Sequence, residues 1–275
     1  MDDHWSPDFY VENRLFSQVS ILASHFSDSR DWPTLSDFNQ LMLETQGHLK
    51  SLHGAALKFV DQGDKTSNPD ESYEARIYLK GEIQTRSRNW HDFFQVLIWC
   101  TYSKSKRLIN KMHYLALANR VSSQDANRRS DIENTLTLFD ECGAIIVSCN
   151  PRLLELIKKF EWSELFLHQR SLFESEIKCF IFGHALFEKC LTPYIGMTAH
   201  SLCLAVEASF FSLGDEEQKK QVDELACRFF NEQDNLTPRI LDPFPVLGLP
   251  GWDRRNNAPE FYQNKEYFRD KRRSR

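Results

Sequence analysis

No apolar run in this sequence is long enough to cross a bilayer. The longest stretches, Phe93 to Cys100 and Cys179 to Phe187, are broken by Gln95 and His184 and fall far short of the roughly 20 residues that a spanning helix needs. The opening residues Met1-Asp2-Asp3-His4-Trp5 lack the basic start and continuous apolar segment of a secretory signal, so the expected location is the cytoplasm. None of the seven cysteines forms a C-x-x-C pair, which removes the zinc and redox motifs built on that spacing. Among apolar neighbours they read as reduced core thiols. There is no Walker loop, no dinucleotide G-x-G-x-x-G, no nucleophile-elbow G-x-S-x-G and no internal repeat. Basic charge is also short, with 34 Lys and Arg against 39 Asp and Glu, which argues against nucleic acid as a partner. Arg269, Lys271, Arg272, Arg273 and Arg275 read as a solvated basic tail.

What the sequence does contain is an ordinary globular composition, 41% hydrophobic over 275 residues, enough to bury a core without staples. Leu35, Phe38, Leu41 and Met42 fall at helical spacing on a helix that Asp31 or Thr34 can cap, and Gly47 suits its end. Leu57 and Phe59 suggest a short strand. Tyr73, Ala75, Ile77 and Leu79 alternate with Glu74, Arg76 and Tyr78, which predicts another. Asn89 or Asp92 can open a helix buried nearly all round, followed by an amphipathic helix through Leu108, Ile109 and Met112 and a polar surface run from Asn119 to Asp131. Thr135 to Glu141 and Ala144 to Cys149 flank Cys142-Gly143 and read as a hairpin. Asn150-Pro151 starts a helix. The spacing of Phe173, Ile177, Phe180, His184, Phe187 and Leu191 predicts one continuous helix over 172–191 with His184 facing inward. Helices are also predicted behind Thr198 and Asp215, and Pro238 to Pro259 reads as an ordered strap with Trp252 largely buried. No linker interrupts the chain. The expected architecture is one α+β domain over 1–275, predominantly α-helical, its helices packed with a small antiparallel sheet or hairpin and residues 1–50 forming a helical extension packed on it.

Four segments together are specific: Thr85-Arg86 with Asn89-Trp90-His91-Asp92-Phe93; Leu136 to Gly143; Phe182-Gly183-His184-Ala185-Leu186-Phe187-Glu188-Lys189; and Pro245 to Trp252. With Thr198-Ala199-His200 and Phe261-Tyr262, they give the chain a resemblance to the bacterial family called domain of unknown function 3025, from about residue 59 to about residue 269. Two positions depart from the family pattern: Asn134 stands where an acidic residue is usual, and Asp270 where a proline is. The resemblance implies no activity, cofactor or catalytic residue.

Chemistry therefore has to come from side chains. A cation site needs a few His, Asp or Glu groups converging from separate elements. His91, Asp140 and His184 are the candidate metal ligands, for a divalent ion such as Zn or Fe, with Glu141 or Glu188 as candidate base. His184 and Glu188 stand at i,i+4, close enough for one ion or one hydrogen bond. His200, placed near a helix N-terminus, would stay neutral and able to accept a proton. Arg86 and Trp90 are the candidate substrate contacts, the guanidinium suiting a small anionic molecule. These residues support a metal-assisted hydrolase-like enzyme. The alternative is a non-catalytic binding or scaffold protein in which the same groups form a buried His–carboxylate network.

Overall fold

The computed structural model describes residues 4–11, 13–63, 71–121 and 128–271. Its N-terminal portion winds through short turns and α1 (Ser20–Ala23) into α2 (Leu35–Gln46). A reciprocal cap starts α2, the Asp37 carboxylate accepting from the Thr34 backbone N–H at 2.7 Å and so satisfying a donor that a helix end leaves over. The Trp5 and Trp32 rings close on Trp90, with centroids 5.2 and 4.9 Å from it, and Trp5 Nε1 donates to the Ser29 carbonyl at 2.9 Å.

The strand β1 (Lys58–Asp61) pairs in parallel with β2 (Glu82–Thr85), Phe59 lying opposite Ile83. Between them Tyr73 to Leu79 is helical, not a strand. Short α3 (Tyr73–Ala75) runs into a π turn over Arg76–Lys80. The alternation misleads because Tyr78, assigned to a wet face, stacks on Tyr114 at 4.5 Å, so both faces have partners. Gly81 ends the turn at φ 74°, where a Cβ would lie 2.1 Å from the Ala56 carbonyl oxygen; no other residue fits there.

Three helices follow: α4 (Trp90–Thr101), α5 (Ser103–Val121) and α6 (Asp131–Cys142). Part of the polar run expected after α5, residues 122–127, lies outside the described residues, as does most of the basic tail. The predicted hairpin around Cys142-Gly143 is instead the junction of α6 with β3 (Gly143–Ser148). Ser130 and Glu133 decide this locally. They form a capping box, the Glu133 carboxylate accepting from the Ser130 N–H at 2.9 Å and Ser130 Oγ from the Glu133 N–H at 3.2 Å, which commits the segment to helix.

The helix α7 (Pro151–Lys159) begins at the Asn150 cap as expected. The continuous helix predicted over 172–191 breaks into α8 (Arg170–Glu176), β4 (Ile177–Ile181) and α9 (His184–Lys189). An aromatic-rich run satisfies helical spacing by chance, whereas pairing with β3 gives Ile177 to Ile181 a ladder partner at every position, Phe180 opposite Ile145 among them. Thr198 likewise opens not a helix but β5 (Thr198–Ala205). After α10 (Asp215–Asn231), capped at Gly214, the strap contributes β6 (Asp242–Pro245). The sheet has the order β4-β3-β5-β6 and is mixed, with β3 and β5 parallel and the outer pairs antiparallel. All six residues of β3 are buried, as a central strand covered on both faces requires. Phe244, Val246, Leu247 and Leu249 of the strap are buried, but Trp252 is only half-buried. The fold is α+β and predominantly helical. No helix among the described residues is long and apolar enough to cross a membrane.

Candidate metal centre

The first turn of α4 is fixed by its own cap. Asn89 Oδ1 accepts from the Asp92 N–H at 3.1 Å, and the Asp92 carboxylate turns back to Arg86, accepting from its backbone N–H at 2.5 Å, Nε at 3.1 Å and Nη2 at 2.8 Å. Arg88 completes the bend at φ 56°, a left-handed conformation that costs a non-glycine residue energy and that surrounding bonds must hold. His91 therefore projects from a rigid helix start.

His184 and Glu141 are set by two glycines. Gly143 O accepts from Phe182 N at 3.0 Å and from Gly183 N at 2.9 Å. A Cβ on Gly183 would meet Glu141 O at 2.4 Å and Gly143 N at 2.5 Å, and one on Gly143 would meet Phe139 O at 2.1 Å. Backbone touches backbone at this crossing, which brings the end of α6 against the start of α9.

The result is a triplet of donor atoms from α4, α6 and α9. His184 Nε2 lies 2.9 Å from His91 Nε2, and Glu141 Oε2 is 3.9 Å from His91 Nε2 and 3.8 Å from His184 Nε2. Three atoms at separations of 2.9, 3.9 and 3.8 Å share a point about 2.1 Å from each, the bond length of Zn to imidazole nitrogen or carboxylate oxygen. Behind them, His91 Nδ1 is bonded to Glu188 Oε2 at 2.9 Å, and His184 Nδ1 faces Asp140, whose Oδ2 is 3.9 Å away. Asp140 is anchored by Lys106 Nζ at 2.5 Å. The Glu188 carboxylate bonded to His91 Nδ1 favours a proton there and leaves Nε2 as the lone pair, and the Asp140 charge 3.9 Å from His184 Nδ1 biases the second ring the same way without a hydrogen bond. Two such lone pairs at this separation are favourable only with a proton or a cation between them.

The electrostatics fit this arrangement. Burial pushes His184, 2% exposed, down to about 3, so it stays neutral and available as a ligand. Burial also disfavours charge on His91, but the Glu188 hydrogen bond and the charges of Glu141 and Glu188 outweigh it and the ring titrates above its ordinary value. Burial raises the Glu141 carboxyl. Asp140 is pushed up by burial, then pulled below the usual carboxylate range by the Lys106 ammonium, His184 and the Lys106 hydrogen bond together. The triplet opens on a cavity of about 510 Å³ whose lining includes Tyr73, Arg86, Arg129 and Asp140.

A family model described as "Protein of unknown function (DUF3025)" matches residues 57–272. The chain belongs to this family. No curated protein and no solved structure matches it. The DUF3025 match contains all three donor residues and the cavity wall, while Trp5 and Trp32 lie outside it.

The structure brings His91, Asp140, Glu141, His184 and Glu188 together but distributes their parts differently from the sequence-based expectation. Asp140 turns to Lys106 and stands behind His184, and Glu141 supplies the carboxylate oxygen beside the two imidazoles. Glu188 bonds His91, not the His184 one turn away. Arg86 lines the cavity, yet two of its nitrogens are taken by Asp92. Trp90 is 7% exposed and packs among Trp5, Trp32 and Phe94, away from this cavity; helical geometry points neighbours 90 and 91 in different directions. His200 lies on a strand, not a helix start, and does not line the cavity; burial and the Lys189 charge hold its ring below the ordinary value. Sequence reasoning missed Lys106 and Tyr73. Lys106 stands three residues before Ile109 and so on the apolar side of α5, which was the available signal for a buried cation.

Proposed function

We propose that this DUF3025 protein is a divalent-metal enzyme of hydrolase type, with His91, Glu141 and His184 as ligands of Zn or Fe and a small anionic substrate entering through the cavity. The observation that carries this reading is the donor triplet, whose common point sits at metal-bonding distance at the base of an open cavity. Three protein ligands leave coordination positions for water and substrate, and an ion held this way lowers the pKa of its water toward neutrality and polarises a substrate oxygen. Glu188 orients the His91 imidazole from behind by its hydrogen bond, as carboxylates do around ligating histidines, while Asp140 places a negative charge 3.9 Å from His184 Nδ1. Of the arginines on the cavity wall, Arg86 is paired with Asp92 and Arg120 with Glu133. Arg129 has no ion pair among the described residues and supports an anionic substrate.

A second reading, a structural network without metal, rests on the 2.9 Å contact between the imidazoles, which one proton on a charged His91 also satisfies. Metal content separates the two. Protein purified without a metal-affinity tag or chelator, then titrated with Zn(II) and with Fe(II) under anaerobic conditions, should hold one equivalent that His91→Ala and His184→Ala each abolish. Wild type that retains neither metal overturns the proposal.

A further inference from the structure

Six buried side-chain polar atoms have no hydrogen-bond partner among the described residues: Ser72 Oγ, Tyr73 OH, Trp99 Nε1, Tyr102 OH, His184 Nδ1 and Asn256 Oδ1. Unpaired buried groups are rare because each forfeits its hydration without return. Ser72, Tyr73 and His184 all line the cavity that holds the metal triplet. The Tyr73 hydroxyl comes close to Gln95 without making a well-formed bond to it, and the charges that act on it are those of Glu74, Asp140 and Asp92. Tyr73 shares the wall of one cavity with His91, Glu141 and His184, and that common lining is what relates the phenol to the triplet. Burial, reinforced by those negative charges, drives the phenol far above its ordinary value. It therefore remains an O–H donor at every physiological pH. The backbone beneath it is also unusual, because α3 passes directly into the π turn over Arg76–Lys80, a form that costs helix stability and recurs at functional sites.

We infer that Tyr73, assisted by Ser72, is the hydrogen-bond donor for an oxyanion held on the metal, so that substrates of this site carry a carbonyl or phosphoryl oxygen on which negative charge builds. This rests on the metal reading above. Both hydroxyls are placed before the ligand arrives and have no protein acceptor to give up. Donors of this kind favour developing charge most strongly in a water-poor site. They also account for two of the unpaired atoms, which acquire their acceptor only when the site is occupied.

The test uses full-length protein loaded with Co(II), whose visible bands report ligand exchange, and inorganic phosphate as the probe. Tyr73→Phe should bind Co(II) as wild type does and melt no lower, since it removes only an unpaired hydroxyl. Its phosphate dissociation constant should rise about tenfold, the effect of one lost hydrogen bond to a charged group. Ser72→Ala should weaken phosphate in the same direction. Tyr102→Phe removes a hydroxyl that is equally unpaired but does not line the cavity, and it should change neither constant. Equal phosphate affinity in wild type and Tyr73→Phe, or no phosphate binding to Co(II)-loaded wild type, overturns the inference and leaves the metal site standing. Failure of wild type to take up Co(II) overturns both.

Discussion

Gly183→Ala is the smallest change that should dismantle the centre without touching a ligand. The added Cβ would lie 2.4 Å from Glu141 O, 2.5 Å from Gly143 N and 2.6 Å from Cys142 Cα. All three are backbone atoms, so no side-chain rotation relieves the overlap. Restoring ordinary contact requires the α9 start to retreat from the α6–β3 junction by roughly 0.8 Å, an overpacking cost of about 1–3 kcal/mol. The same movement strains the bonds from Phe182 N and Gly183 N to Gly143 O, each worth about 1 kcal/mol. A total near 3–5 kcal/mol is expected, read as a lower urea midpoint at unchanged slope. His184 moves with α9 away from Glu141, and Zn affinity should fall about 10- to 100-fold, as it does when the groups that orient ligands are disturbed. Gly214→Ala is the control. Its Cβ meets nothing closer than 4.0 Å, and stability should stay within about 0.5 kcal/mol of wild type. If Gly183→Ala unfolds at the wild-type urea concentration and binds Zn equally well, the reasoning from close backbone approach is wrong.

Asp140→Asn strands the Lys106 ammonium, whose side chain is 4% exposed, and should destabilise the fold by about 3–5 kcal/mol in equilibrium unfolding at pH 7. The folded Asp140 carboxyl titrates below its ordinary value, so its contribution is complete above roughly pH 4 and is lost as the pH falls further. Wild type should therefore lose melting temperature between pH 4 and 2 more steeply than Asp140→Asn does. His91 titrates above its ordinary value and must give up a proton to bind metal, so Zn affinity by isothermal titration should weaken about tenfold per unit as the pH drops below that value; a flat profile from pH 8 to 5 would count against His91 as a ligand. Trp90→Ala should cost about 3–5 kcal/mol by denaturation, in keeping with its burial, yet leave one bound metal per chain; an unchanged midpoint would return Trp90 to the surface.

Much of the helical content was legible because capping and apolar spacing agree, as at Thr34 with Asp37, Asn89 with Asp92, and Asn150 with Pro151. The sheet was not. Its central strand β3 is buried at every position and β4 at all but one, so neither shows an alternation of wet and dry positions, and Ile177 to Ile181 fits a helix as well as a strand until its partner β3 is known. Tyr73 to Leu79 failed in the opposite sense, alternating in sequence while lying in α3 and the π turn, where Ala75 and Ile77 are buried and Glu74, Arg76 and Tyr78 are half-buried rather than wet. At the centre, His91, Glu141 and His184 could be named as residues whose types and settings suit a cation. Their division of labour could not, because it depends on which carboxylate Lys106 claims and on how closely Gly183 lets α9 approach the end of α6.

The tryptophan cluster has a bearing on where the folding unit stops. The family match begins at residue 57, but Trp5 and Trp32 are built into the face of α4 through Trp90, and Trp5 also meets the Phe93 ring edge-on at 5.1 Å. Sequence likeness and physical integrity therefore part company at this end of the chain. Trimming the protein to the matched stretch would strip the indoles off Trp90 and Phe93 and leave a contiguous aromatic face uncovered immediately beside His91. Such a fragment would be sticky in solution, and its insolubility would say nothing about the chemistry of the centre.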